Sequence, residues 1–90
     1  MEKQKTVVRV GGKDYALVSA DPPEYMHRVA AYVDRKLEET SLATRLPTNM
    51  VAVLVSLNMA DDLMKSHDEN ARLRREITRL REEIESLKKE

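Results

Sequence analysis

The chain has 90 residues, with 16 basic and 16 acidic side chains and no cysteine, which leaves room for one small domain and an extension. Zero net charge supplies no global field toward nucleic acid or anionic lipid, and the charges are spread evenly: 8 of the basic and 7 of the acidic residues precede position 61. Without cysteine there is neither a disulfide framework nor a thiolate metal site, as suits a reducing compartment.

The N-terminal stretch, Met1-Glu-Lys-Gln-Lys-Thr6, lacks the apolar core of a signal peptide. The longest uncharged run, Leu46 to Ala60, is interrupted by polar residues and is too short to span a bilayer. The expectation is a soluble cytoplasmic protein with no membrane partner. Residues 6–18 read as a β-hairpin. Thr6-Val-Val-Arg-Val10 and Tyr15-Ala-Leu-Val18 are β-formers, and between them Gly11-Gly12-Lys13-Asp14 forms the turn, its glycines supplying positive φ. Pairing Val10 with Tyr15 and Val8 with Leu17 puts these four on one face and Val7, Arg9, Ala16 and Val18 on the other. A two-stranded hairpin is marginal alone in water, so one face must pack on helices, and an edge is open to pairing with a second subunit.

Asp21-Pro-Pro-Glu24 has the features of a helix start, with Asp21 as cap, proline at the first helical position and Glu24 closing a capping box. Met26, Val29, Ala30, Val33 and Leu37 recur at helical spacing as a core face flanked by Tyr25 and Tyr32. This helix is expected to end near Thr40, followed by a loop from Ser41 to Pro47 that contains Arg45. Thr48 is then placed to cap a second helix. The run Met50 to Leu57 fits a buried strand as well as a helix; helix is preferred because Asn58 to Lys65 continues at helical period with no turn signal between. Its uncharged first part is expected to be buried on all sides.

From Asp61 onward the composition becomes a charged heptad pattern. Leu73, Ile77, Leu80, Ile84 and Leu87 alternate in steps of four and three, which sets Ile77 and Ile84 at a and the leucines at d. Upstream, Asn70 and Leu63 fall at a and Ser66 at d. β-Branched a residues with leucine at d favour two strands, and one Asn at a fixes register. The g residues Glu69, Glu76 and Glu83 face Arg74, Arg81 and Lys88 at e of a parallel partner, whereas an antiparallel pair sets like charges together. Each exposed pair is worth only ~0.2–1 kcal/mol, but the difference between the two arrangements selects parallel. The fold class is therefore α+β: a small β-β-α-α head over residues 1–60, whose second helix continues into a parallel two-stranded coiled coil over residues 61–90. A head of this size buries a modest core and gains from oligomerisation.

Chemistry is hard to find. Gly11-Gly12 lacks the spacing of a phosphate-binding loop, and His27 and His67 are isolated from each other and from any cysteine. No metal, no cofactor and no catalytic residue is expected, and the chain does not read as an enzyme. Arg72-Leu-Arg-Arg75 lies within the zipper and alternates with glutamates, whereas a DNA-binding basic region precedes its zipper. Nucleic acid is not the expected partner.

The hairpin Val8-Arg-Val-Gly-Gly-Lys-Asp-Tyr-Ala-Leu17, the segment Pro23-Glu-Tyr-Met26 with Val29 to Leu37, and above all Val53-Leu-Val-Ser-Leu-Asn-Met-Ala-Asp-Asp-Leu63 resemble the cell-division protein ZapA family, in order and over nearly the whole chain. The resemblance implies a head dimer on a coiled-coil stalk that binds FtsZ, the tubulin-like division GTPase, and cross-links its protofilaments at midcell. It also implies FtsZ contact through basic head residues. Lys13 holds the family position in the hairpin turn and Arg45 the one before the second helix, with Arg9, Arg35 and Lys36 as candidate supports. A further basic position on the second strand is Ala16 here. Some family members form tetramers by packing tails together, but the outer tail positions Arg72, Arg75, Arg79, Glu82 and Lys89 supply no second apolar stripe. A dimer is expected, with a tetramer left open. The alternative reading is a homodimeric coiled-coil adaptor for a different protein.

Overall fold

The structure, a computed structural model, describes residues 2–89. Four elements follow in order: β1 (Gln4–Val10), β2 (Lys13–Ser19), α1 (Pro23–Thr44) and α2 (Thr48–Lys88). This is the α+β, β-β-α-α order expected. The chain divides into two compact units, Met1–Val55 and Ser56–Glu90.

The strands form a two-stranded antiparallel sheet. Its register differs from the expected one: Val10 pairs with Lys13, Val8 with Tyr15 and Thr6 with Leu17. The turn is therefore two residues long, Gly11 and Gly12, with φ of 62° and 79°. Positive φ at both central positions lets a two-residue loop match the twist of the strands, so Lys13 and Asp14 join the ladder. The shift is by two residues, the period of a strand, so the face assignment survives: Val8, Val10, Tyr15 and Leu17 share one side as expected. Arg9 and Asp14 become direct cross-strand neighbours and form an ion pair at 3.1 Å on the other side.

At the start of α1 the cap residue is Pro22, and no side chain bonds to the helix end. Asp21 is engaged elsewhere: its N–H donates to Ser19 Oγ at 3.0 Å, and the Ser19 hydroxyl donates to Asp21 Oδ2 at 3.1 Å. The expected Asp21 cap is thus replaced by a local turn. Glu24 remains in the first turn, where the helix dipole favours a carboxylate. At its other end α1 runs past Thr40 to Thr44, because Ser41-Leu-Ala-Thr44 contains no glycine or proline to stop it. It ends at Arg45, whose φ of 56° is left-handed and whose N–H donates to Ser41 O at 2.8 Å. Pro47 then blocks further winding, and its carbonyl accepts the N–H groups of Met50 and Val51, each at 3.0 Å. Thr48 is the first residue of α2 rather than its cap. The run Met50 to Leu57 is helical, as preferred.

The core of the first unit consists of Thr6 and Val8 from β1, Ala30 from α1, and Val51 and Val55 from α2. Met26, Val33 and Leu37 are half-buried around them, whereas Val29, expected in the core, is 38% exposed at the margin of the apolar stripe. The expectation that the first part of α2 is buried all round fails for the single chain. Met50, Val53 and Leu57 are more than half exposed, because the chain has only the hairpin and α1 to cover it. Thr6 is the one buried polar residue among those described, and its hydroxyl has no hydrogen-bond partner. An unsatisfied buried hydroxyl costs stability, and valine has nearly the same shape. Thr6→Val is expected to raise the urea midpoint by an amount equivalent to about 1 kcal/mol. A lowered midpoint would show that the hydroxyl is bonded in solution.

Candidate functional site

Every basic residue singled out in the head is solvent-exposed or half-exposed, and the fold sorts them onto different surfaces. Lys13 opens β2 directly after the glycine turn. On the pleat it lies on the side of Val8 and Tyr15, away from Arg9 and Asp14. It borders a cavity of about 360 Å³ that Val10, Tyr15, Leu37 and Val51 line with apolar surface. Asp34 and Glu38 of α1 stand at the same cavity, so its polar lining is of mixed sign. Ser41 and Thr48, which bracket Arg45 in the chain, also line it.

The hairpin tip is tied to α1. Asp34 Oδ1 accepts the backbone N–H of Gly11 at 2.8 Å, across 23 residues of sequence. Sequence periodicity gave no sign of this bond, since Asp34 falls outside the apolar stripe and a turn N–H has no side-chain signature.

Arg45 occupies the left-handed position that ends α1, where glycine is the usual residue because it has no Cβ penalty. It is the only described non-glycine residue with positive φ. Arg9 is taken up by its cross-strand partner Asp14. Arg35 and Lys36 both reach Glu39, each at 3.9 Å, and both lie over the ring of Tyr32 at 5.4 and 5.5 Å from its centroid. Arg28 lies likewise over Tyr25 at 5.6 Å. These contacts occupy Arg9, Arg35 and Lys36 within the chain, whereas no ion pair joins Lys13 or Arg45 to a described residue. Ala16, opposite Val7, leaves the second strand without a cation at that place.

In the second unit the zipper residues keep one helical stripe. Leu73, Ile77, Leu80, Ile84 and Leu87 are 43–69% exposed on the single chain, and Leu63 is 56% exposed. Asn70 bonds back to the Ser66 carbonyl at 3.2 Å through its amide nitrogen. The expected g-position glutamates are held within their own helix. Arg72 Nε donates to Glu69 at 3.0 Å, and Arg79 reaches Glu76 at 2.6 Å and Glu83 at 3.2 Å. Hydrogen bonds from these arginines hold the Glu69 and Glu76 carboxyls below their ordinary pKa, and both arginines are raised in turn. Lys65 is raised by its hydrogen bond to Asp61 at 2.9 Å. Any pairing of these glutamates with Arg74, Arg81 or Lys88 of another helix must share carboxylates that are already engaged.

Among the described residues no group of His, Asp and Glu is arranged to hold a metal ion, and no helix is long and apolar enough to cross a membrane. The arrangement offers exposed cations and apolar stripes, which suit recognition of another protein surface.

Comparison with known proteins gives the same direction. The family model described as Cell division protein ZapA matches residues 6–90. A cell division protein ZapA from Halalkalibacterium halodurans is 43% identical over 65 residues, covering 71% of each chain. One from Geobacillus kaustophilus is 37% identical over 76 residues, covering 83% of this chain and 84% of the relative. Among solved structures, a ZapA mutant dimer from Geobacillus stearothermophilus superposes with a TM-score of 0.74 at 34% identity, over 87% of this chain and 92% of that one. With nearly all of the hairpin and both helices inside the matched region, this chain belongs to the cell division protein ZapA family.

Proposed function

We propose that this protein is a non-enzymatic scaffold of cell division that acts in the cytoplasm at midcell, where it binds FtsZ and cross-links its protofilaments. In this reading residues 1–60 form a dimerising head and residues 61–90 a parallel coiled-coil stalk, and Lys13 and Arg45 make the main FtsZ contacts. The observation that carries it is the uncovered seam of Leu73, Ile77, Leu80, Ile84 and Leu87, continuous at heptad spacing on a family-matched chain. A second copy brings two equivalent heads together, so that once one head has bound a filament the other meets a neighbouring filament at high effective concentration, up to roughly millimolar. Weak single contacts then suffice to bundle polymers.

Two features favour Lys13 and Arg45 over the other cations. Arg9, Arg35 and Lys36 are engaged by Asp14 or Glu39, which leaves them a supporting role. Arg45 is an arginine in backbone geometry that glycine adopts at lower cost, and such local strain clusters where the side chain has a task.

The deciding experiment is cosedimentation with FtsZ polymerised by GTP, comparing wild type with Lys13→Glu plus Arg45→Glu at matched oligomeric mass. Wild type is expected to pellet with bundled filaments and the double variant to remain in the supernatant. Bundling should also fall steeply as salt rises to about 0.3 M, because exposed charges lose their reach as the Debye length shortens. Pelleting of both proteins would move the contact to another head surface. Absence of pelleting for wild type would favour an adaptor that binds a different protein.

A further inference from the structure

We infer that Asp34 is a positioning residue for partner binding: by holding the Gly11 N–H it fixes the hairpin tip against α1 and thereby sets the direction in which Lys13 is presented. The inference rests on the assignment of Lys13 as a filament contact.

The glycine pair that makes the two-residue turn possible also makes it the most deformable part of the hairpin. Gly11 and Gly12 have no side chains to pack, both sit at positive φ, and a Cβ at either place would meet nothing within 4 Å. Space therefore lies open on the Cβ side of both glycines. The tie between the turn and α1 is polar: the 2.8 Å bond from Gly11 N–H to Asp34 Oδ1. A carboxylate acceptor makes this bond charge-assisted, stronger and more directional than one to a neutral group. Lys13 is two residues from the bonded amide and lies at the same cavity as Asp34. The rigid body to which Asp34 belongs is the middle of α1, next to half-buried Val33 and Leu37. The helix thus carries the anchor and the hairpin carries the cation.

A loop held in its bound geometry binds more tightly because less freedom is lost on association. Without the anchor, Lys13 keeps its charge and its ladder pairing with Val10, but the hairpin tip that carries it is no longer tied to α1 and must be fixed by the partner at each encounter.

The test uses the full chain and three variants, Asp34→Ala, Asp34→Asn and Lys13→Ala, in cosedimentation titrations against GTP-polymerised FtsZ, with amide hydrogen exchange at Gly11 followed by NMR. Asp34→Ala is expected to weaken binding by ~3–10-fold, with unchanged oligomeric mass and much faster Gly11 exchange. Asp34→Asn retains an oxygen acceptor and is expected to recover most of the binding and of the protection. In the Asp34→Ala background, Lys13→Ala should cost less than it does in wild type, as residues acting through one contact are not additive. Wild-type affinity in Asp34→Ala, additive effects of Asp34→Ala and Lys13→Ala, or rapid Gly11 exchange in the wild-type protein would each overturn the inference while leaving the scaffold reading in place. Failure of the wild-type chain to bind filaments would overturn both.

Discussion

Replacing Leu80 and Ile84 together with glutamate is expected to lower the mass in sedimentation equilibrium from that of a dimer to the 10.4 kDa of one chain. The two positions are consecutive d and a sites of the expected register and are 43% and 52% exposed on the single chain, so apolar surface is left for a second helix to cover. A pair of chains loses four apolar side chains at once. Full burial of such a side chain is worth ~1.5–3 kcal/mol, and about half of that remains for residues already half-covered by their own helix, so the loss is roughly 3–6 kcal/mol per dimer. That is a large part of the whole free energy of a micromolar association, about 8 kcal/mol, before any repulsion among the new carboxylates. On the proposed function, FtsZ bundling should be lost in parallel, since a single head cannot bridge two filaments. An unchanged mass would show that the seam follows another register or that the heads alone hold the pair.

Val51→Asp is expected to abolish the cooperative melt of the head. Val51 is 2% exposed, the most buried residue in the described chain, and belongs to the same compact unit as buried Val8 and Ala30. A carboxylate at this buried position loses its hydration, and a buried charge left uncompensated costs ~3–5 kcal/mol. A core this small supplies only ~3–5 kcal/mol in all, so one substitution exhausts it. Circular dichroism should show loss of strand signal and a shallow, non-cooperative thermal transition. Leu42→Lys is the control: at 74% exposure in the last turn of α1, where the helix dipole favours a cation, it should shift stability by no more than about 0.5 kcal/mol. If Val51→Asp melts like wild type, Val51 is not at the centre of the core.

What the sequence made legible follows from the range of the physics involved. The 3.6-residue period of α1 is a property of local geometry, and residues such as Met26, Ala30 and Leu37 fall where that period puts them. The same holds for the two faces of the hairpin, which Val8 and Tyr15 occupy as alternation requires. The turn is two residues shorter than Gly-Gly-Lys-Asp suggests, because all four are turn-prone and only the twist of the paired strands selects the two-residue loop. The end of α1 was placed early because Ser41 and Thr44 look like loop residues, whereas Arg45 and Pro47 impose the stop. Asp34 was invisible as a tip anchor, since a bond over 23 residues leaves no periodic trace. The burial expected of α2 exceeds what the single chain provides for a related reason: an uncharged run carries no information on what surface, if any, lies against it.

That last feature bears on how such a protein persists in a cell. A newly made copy carries Met50, Val53, Leu57, Leu63 and the whole zipper stripe uncovered, surface of the kind that chaperones and proteases recognise. On the dimeric reading, pairing removes this surface by mass action, and the folded state gains stability with concentration. Survival of the chain is then cooperative in its own abundance: scarce copies are cleared while plentiful ones protect each other. A scaffold that bundles polymers only when two heads are joined would in this way be withdrawn from use whenever its level drops below the point at which pairs form.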